Sequence, residues 1–193
     1  MDCEQLKDAR PNRSRVFLLN HLTKNLPDLY GHLIFWTLSA AGLLLDLWTK
    51  KSVFEYLQTR PDNSVPIIKG FFNLVMARNE GAVFGIAQGQ YLFLVSVSIL
   101  AVVVVLAVFL FGGIKSRAYQ IALGLLTAGI CGNLYDRLFN GGSVRDFIDI
   151  VYWQGRHWPA FNIADSLLCM SVGLILLLNF IQKPCQKHAQ QQK

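Results

Sequence analysis

The chain has 193 residues, of which 53% are hydrophobic and only 16% charged, with a mean hydropathy of +0.36. Soluble domains carry about 25% charged residues, so this composition excludes an ordinary soluble fold and points to lipid as the solvent. The net charge of +6 comes from scattered basic residues with no clustered tract among aromatics or glycines, so no nucleic-acid partner is expected and the surplus reports membrane topology.

In chain order, residues 1–28 are polar, mixed in charge and without the apolar core of a cleavable signal peptide; they read as a cytoplasmic tail, and the first span does the targeting. A spanning helix needs about 20 mostly apolar residues, because lipid satisfies none of the backbone polar groups. Residues 29–48, 91–111, 118–136 and 162–182 meet that test. After the first span, Val53, Phe54 and Leu57 stand at helical spacing within 51–60, which predicts a short amphipathic helix lying on the membrane surface. The stretch from Phe71 to Arg78, rich in Phe, Val and Leu, predicts a strand that ends at Asn79-Glu80-Gly81.

The expected fold is an all-α membrane protein with four transmembrane helices, a small outer-face β-rich cap and a short interfacial helix. It is expected to be a single domain, because no linker or internal repeat interrupts it. A soluble bundle would need a polar stripe on each helix, and residues 92–111 offer only Ser96 and Ser98. Four spans return the chain to its starting side. Lys115 and Arg117 lie in a turn without an acid, and Lys183, Lys187 and Lys193 in a tail without one, which predicts that both termini are cytoplasmic.

Cys3, Cys131, Cys169 and Cys185 form no CxxC pair and read as reduced structural residues. His21, His32, His157 and His188 form no HExxH pattern, so no metal site is expected.

The acids are more informative. Asp46 closes the first span, Asp136 the third, Asp146 and Asp149 follow it, and Asp165 opens the fourth; alternation puts all five on the outer side. Each has a structural explanation when taken singly. Asp165 suits the first turn of a helix capped by Asn162, Asp46 stands one turn before Lys50, and Asp136 has Arg137 or another nearby base. Gathered together, however, carboxylates repel unless some are protonated or bridged by donors. Two that share a proton can activate water as base and acid, the chemistry of an aspartyl protease. Ser143 and Ser166 have no histidine placed by pattern to make either a nucleophile. Two alternatives stay open: a proton- or ion-coupled transporter, although spans two to four carry no charge within them, and a membrane scaffold with a polar lid.

Five ordered motifs, Asp46-Leu47-Trp48-Thr49-Lys50, Asn79-Glu80-Gly81-Ala82-Val83-Phe84-Gly85, Gly132-Asn133-Leu134-Tyr135-Asp136-Arg137, Val144-Arg145-Asp146-Phe147-Ile148 and Phe161-Asn162-Ile163-Ala164-Asp165-Ser166, are spread from the first span to the fourth. Through them the chain resembles the lipoprotein signal peptidases, signal peptidase II. The resemblance implies an aspartic endopeptidase of the bacterial cytoplasmic membrane that cleaves prolipoproteins just before their diacylglyceryl-modified cysteine, with its site at the outer face, membrane phospholipid around it and no cofactor. It implies that Asp146 and Asp165 are catalytic. Asp46, Lys50, Asn79, Gly81, Asn133, Asp136, Arg137 and Asn162 would support them or bind substrate. Spacing alone does not separate Asp146 from Asp136 or Asp149. The chain departs from the family pattern at Leu47, where Gln is usual, at Arg145, where a small apolar residue is usual, and in the loop 140–143, which is one residue longer.

Overall fold

The computed structural model describes residues 26–81 and 87–182. The expectations for Cys3, Cys185, His21, His188, the N-terminal tail, the Ala82–Gly85 part of the second motif and the basic C-terminal tail lie wholly or mostly outside those residues.

Helix α1, Leu29–Gln58, is capped by Asp28, whose carboxylate accepts from Gly31 N at 3.1 Å. Its buried positions, Gly31, Phe35, Ser39, Gly42, Asp46, Lys50, Phe54 and Leu57, recur every three or four residues and form one stripe along the helix. The expected surface helix at 51–60 is instead the last two turns of α1. Phe54 and Leu57 extend the stripe that begins at Gly31, so their burial keeps the helix on course and nothing breaks it at Trp48. At about 1.5 Å per residue, α1 is longer than a bilayer core is thick.

Two strands follow, β1, Ser64–Ile68, and β2, Phe72–Asn79, the latter at the place expected for a strand. Helix α2, Tyr91–Phe111, is apolar on all sides and leaves Leu92, Phe93, Leu100 and Val103 exposed, as suits a lipid-facing helix. Helix α3, Arg117–Phe139, packs against α1, α2 and the last helix, α4, Ile163–Gln182. Phe35, Val105, Phe109 and Leu123 form the apolar core, with the Phe35 and Phe109 rings stacked at 3.9 Å.

Among the described residues, α1, α2 and α4 are long and apolar enough to cross a membrane. The expectation of four spans is met by length in α3 but not by its composition. That helix carries Gln120, Asn133, Asp136 and Arg137, all buried, because its surroundings are largely the other three helices and not lipid. It reaches close approach through glycine: a Cβ on Gly129 would lie 2.6 Å from the Ala164 carbonyl oxygen and 2.7 Å from Leu168 Cγ. A carbonyl oxygen of a packed helix cannot swing aside, so Gly129→Ala is expected to lower stability by about 1–3 kcal/mol. Thermal unfolding in detergent measures it; an unchanged midpoint would show that α3 and α4 are not held together here.

At one end of the bundle Arg117 grips Asp28 through Nη1 at 2.6 Å and Nη2 at 2.5 Å, tying the start of α1 to that of α3. The guanidinium holds the Asp28 carboxyl well below the usual carboxylate range. At the other end, Asn140 and the left-handed Gly141 and Gly142, with φ of 66° and 85°, turn the chain from α3 into β3, Val144–Ile150. The sheet is antiparallel in the order β1-β2-β3, with Asn73 opposite Asp149 and Ala77 opposite Asp146. A register shift between Leu74 and Ala77 kinks β2. On its other side β3 is joined to the segment before α4: Phe147 N and Ile148 N donate to Phe161 O at 3.0 and 2.8 Å, and Phe161 N returns to Ile148 O. That join brings Asp146 beside the start of α4.

Candidate active site

Lys50 lies fully buried at the centre of the sheet end of the bundle. Its ammonium donates to Asn133 Oδ1 at 3.0 Å and pairs with two carboxylates, Asp46 Oδ2 at 2.8 Å and Asp136 Oδ2 at 3.4 Å. Asp46 uses its other oxygen to accept from Ala164 N at 2.8 Å, in the first turn of α4. The i,i+4 pairing of Asp46 with Lys50 expected from spacing is present, and the other oxygen of Asp46 seats α4 on α1. Asp136 is paired not with its neighbour Arg137 but with Arg145, whose Nη2 lies 2.7 Å from Oδ1 and whose backbone N donates to Oδ2 at 2.9 Å. Asn133 and Asp136, three residues apart on α3, meet the same lysine, as their spacing predicts.

Asn162 caps α4. Its Oδ1 accepts from Asp165 N at 2.9 Å, and Asp165 Oδ2 accepts from Asn162 N at 3.2 Å, a reciprocal capping box that fixes where the Asp165 side chain starts. Asn162 Nδ2 donates to Asp146 Oδ1 at 2.6 Å, so one residue holds both carboxylates, Asp146 through its side-chain amide and Asp165 through its backbone N–H. Asn133 Nδ2 donates to Asp165 Oδ1 at 2.7 Å. Asp146 is 2% exposed. Burial, reinforced by the negative charge of Asp165, pushes its carboxyl up to about 7, against the pull of hydrogen bonds from Asn162 and Asn79.

Arg137 is buried and donates from Nη2 to Gly81 O at 3.1 Å, while its Nε meets no acceptor among the described residues. Gly81 N donates to Asn79 Oδ1 at 3.0 Å, so the chain turns where the strand was expected to end and presents the Gly81 carbonyl to Arg137. A cavity of about 640 Å³ runs from Asn79, Arg137 and Asp165 down between α2, α3 and α4, past Val97, Ile130 and Leu168. Asp146 opens on a second hollow beside Ala77 and Arg78. Asn79, Pro159 and Ala160 line both, so the two carboxylates stand at the seam between them.

The ten residues singled out from sequence therefore converge on one end of the bundle. Trp158 borders the cavity, whereas Trp153 is 74% exposed and suits the headgroup layer. Two residues left without a role in the sequence acquire partners. Asp149 accepts from Asn73 Nδ2 at 2.7 Å and meets His157 Nδ1 at 2.8 Å, tying the loop before α4 to the sheet. Arg145 holds Asp136 across nine residues, a contact that no helical or strand period encodes.

A bundle of long apolar helices with a buried carboxylate cluster under a small sheet defines a membrane protein with an enclosed polar site at one end. A family model described as "Signal peptidase (SPase) II" matches residues 38–181, and the chain belongs to the signal peptidase II family, which makes it a membrane protease. It is 39% identical over 162 residues to a lipoprotein signal peptidase of Rhodopirellula baltica, covering 76% of this chain and 71% of that one. It is 38% identical over 160 residues to one from Syntrophus aciditrophicus, covering 80% and 96%. A solved structure described as "Bacterial membrane enzyme structure by the in meso method at 2.3 A resolution" is similar with a TM-score of 0.70 at 30% identity, covering 79% of this chain and 90% of that one.

Proposed function

We infer that the protein cleaves prolipoproteins before their diacylglyceryl-modified cysteine, with Asp146 and Asp165 as an acid–base pair. The observation that carries this reading is the position of the two carboxylates, both accepting from Asn162, at the seam between an apolar cavity and a more open hollow. A substrate with acyl chains and a peptide needs both. The chains lie in the cavity between the helices, and the peptide crosses the sheet end. The Arg137 guanidinium borders the cavity as a donor for a substrate carbonyl, and Asn79 and Gly81 line its path.

In this mechanism Asp165 takes a proton from water as the water oxygen bonds to the scissile carbonyl carbon, and neutral Asp146 gives its proton to the carbonyl oxygen. The tetrahedral species collapses when Asp165 delivers its proton to the departing amide nitrogen and Asp146 recovers the hydroxyl proton. The C–N bond breaks, and both carboxyls return to their starting states. Asp46, Lys50, Asn133, Asp136 and Asn162 hold the pair and the α4 terminus. No cofactor takes part, since water is the second substrate.

α3 is the fourth span, shielded by the other three helices. Both termini face the cytoplasm and the site faces outward across the bacterial cytoplasmic membrane, where phospholipid surrounds α2. The whole chain from α1 to α4 acts as a single peptidase domain.

The test is cleavage of a synthetic diacylglyceryl-modified prolipoprotein peptide by the purified protein, with the unlipidated peptide as control. Cleavage only of the lipidated peptide, before the cysteine, is expected; equal cleavage of both would sink the lipid-cavity reading. The pH dependence has a definite sign. The acid must be neutral, so kcat/KM falls as pH rises through about 7, where Asp146 loses its proton. A profile flat through that region would remove Asp146 from the acid role.

A further inference from the structure

Arg145 makes three contacts with Asp136 besides its backbone N–H: Nη2 at 2.7 Å and Nε at 3.1 and 3.3 Å. Its carbonyl accepts from Asn162 Nδ2 at 3.4 Å. It is the residue before Asp146, so every one of these bonds also fixes the strand that carries that carboxylate. The side chain is 14% exposed and its partner fully buried.

The charged groups around it can be followed element by element. α1 contributes Asp46 and Lys50, which pair with each other. α3 contributes Asp136 and Arg137, the latter within electrostatic reach of Asp136, Asp146 and Asp165. β3 contributes Arg145 and Asp146, and α4 contributes Asp165. β2 places Arg78 opposite Arg145, but Arg78 turns to Ser143 Oγ at 3.4 Å, and Glu80 beyond it is exposed. The enclosed cluster thus holds four carboxylates and three cations. Poorly solvated clusters tend towards neutrality, because uncompensated buried charge is costly. With Arg145 present, a single proton on the Asp146–Asp165 pair makes this cluster neutral. Without Arg145, neutrality needs a second proton, and a pair carrying two protons has no base.

We propose that Arg145 is a positioning residue for the reaction: by neutralising Asp136 it sets the catalytic pair to hold one proton, and through its backbone it aims Asp146. This rests on the acid–base reading of the pair. It acts through Asp136 and Asn162 and does not touch substrate.

The test is the pH profile of kcat/KM on the lipidated peptide for the wild type, Arg145→Gln and Arg145→Lys. Gln retains a hydrogen-bonding side chain but not the charge, and removal of a nearby cation favours the protonated carboxyl. The alkaline limb therefore moves up by about one pH unit in Arg145→Gln and returns to the wild-type position in Arg145→Lys. A merely structural role lowers the rate without moving the limb. An Arg145→Gln limb at the wild-type position, or one that Arg145→Lys fails to restore, would overturn the proposal. The acid–base reading is checked in parallel: if Asp146→Asn or Asp165→Asn still cleaves, that reading fails, whereas their inactivity with an unmoved Arg145→Gln limb removes only the role of Arg145.

Discussion

Asp146→Asn and Asp165→Asn each lower kcat by about 10²–10⁴-fold, the range supplied by a positioned acid or base, while the protein stays folded. The isosteric amide retains most of the contacts. In Asp146→Asn the side-chain carbonyl still accepts from Asn162 Nδ2, and a buried ionisable group is removed from a site that opposes its charge. In Asp165→Asn the carbonyl still accepts from Asn133 Nδ2, and the loss is confined to one side of the capping box, worth no more than about 1 kcal/mol. Thermal unfolding therefore changes little where turnover collapses. Asp149→Asn is the control, because its partners are Asn73 and His157 and not the pair. If Asp149→Asn abolished cleavage while Asp146→Asn retained it, the assignment of the acid would be reversed.

Lys50→Met produces the largest loss of stability, about 3–5 kcal/mol, the cost of leaving a buried carboxylate without its partner. Asp136 keeps Arg145, so the orphan is Asp46, fully buried and still bound to Ala164 N. The double variant Lys50→Met with Asp46→Asn removes the stranded charge along with the lysine, and a large part of the loss returns. Chemical denaturation of the two single variants and the double variant, in the same detergent, measures this coupling. Strictly additive losses would mean that Lys50 and Asp46 are not coupled and that the 2.8 Å ion pair within α1 contributes nothing to stability. Activity falls as well, because Asn133 Oδ1 loses the shorter of its two donors and keeps only Asn162 Nδ2 at 3.2 Å to orient its amide towards Asp165.

Much of this architecture is legible along the chain because lipid is an unforgiving solvent. A run such as Tyr91–Phe111 has no other stable place, and the period of Gly31, Phe35, Ser39 and Gly42 marks the buried face of α1. The same period misleads at 51–60. There Phe54 and Leu57 look like the apolar face of a separate surface helix, although they continue a stripe whose partners belong to other elements. Apolarity also understates α3, where Gln120, Asn133 and Asp136 are buried against protein. Asp46 with Lys50, and Asn162 with Asp165, are local contacts within one helical turn and can be read from spacing. The choice of Asp146 over Asp136 and Asp149 came from the likeness of motifs. Its physical basis is that Asp136 is taken by Lys50 and Arg145, Asp149 by Asn73 and His157, and only Asp146 is held beside Asp165 by a shared asparagine.

By itself the sequence determined the solvent of this protein, the places of its long helices, the cap of α4 and the set of polar residues gathered near the helix ends. These follow from composition and from periods of a few residues. Only the tertiary structure decided which carboxylate neutralises which base, that Arg145 reaches Asp136, and that β3 runs beside Phe161 to bring Asp146 to Asp165. Those contacts join residues on different elements, and the energy that selects among them comes from burying charge in pairs, which no local pattern of residues records.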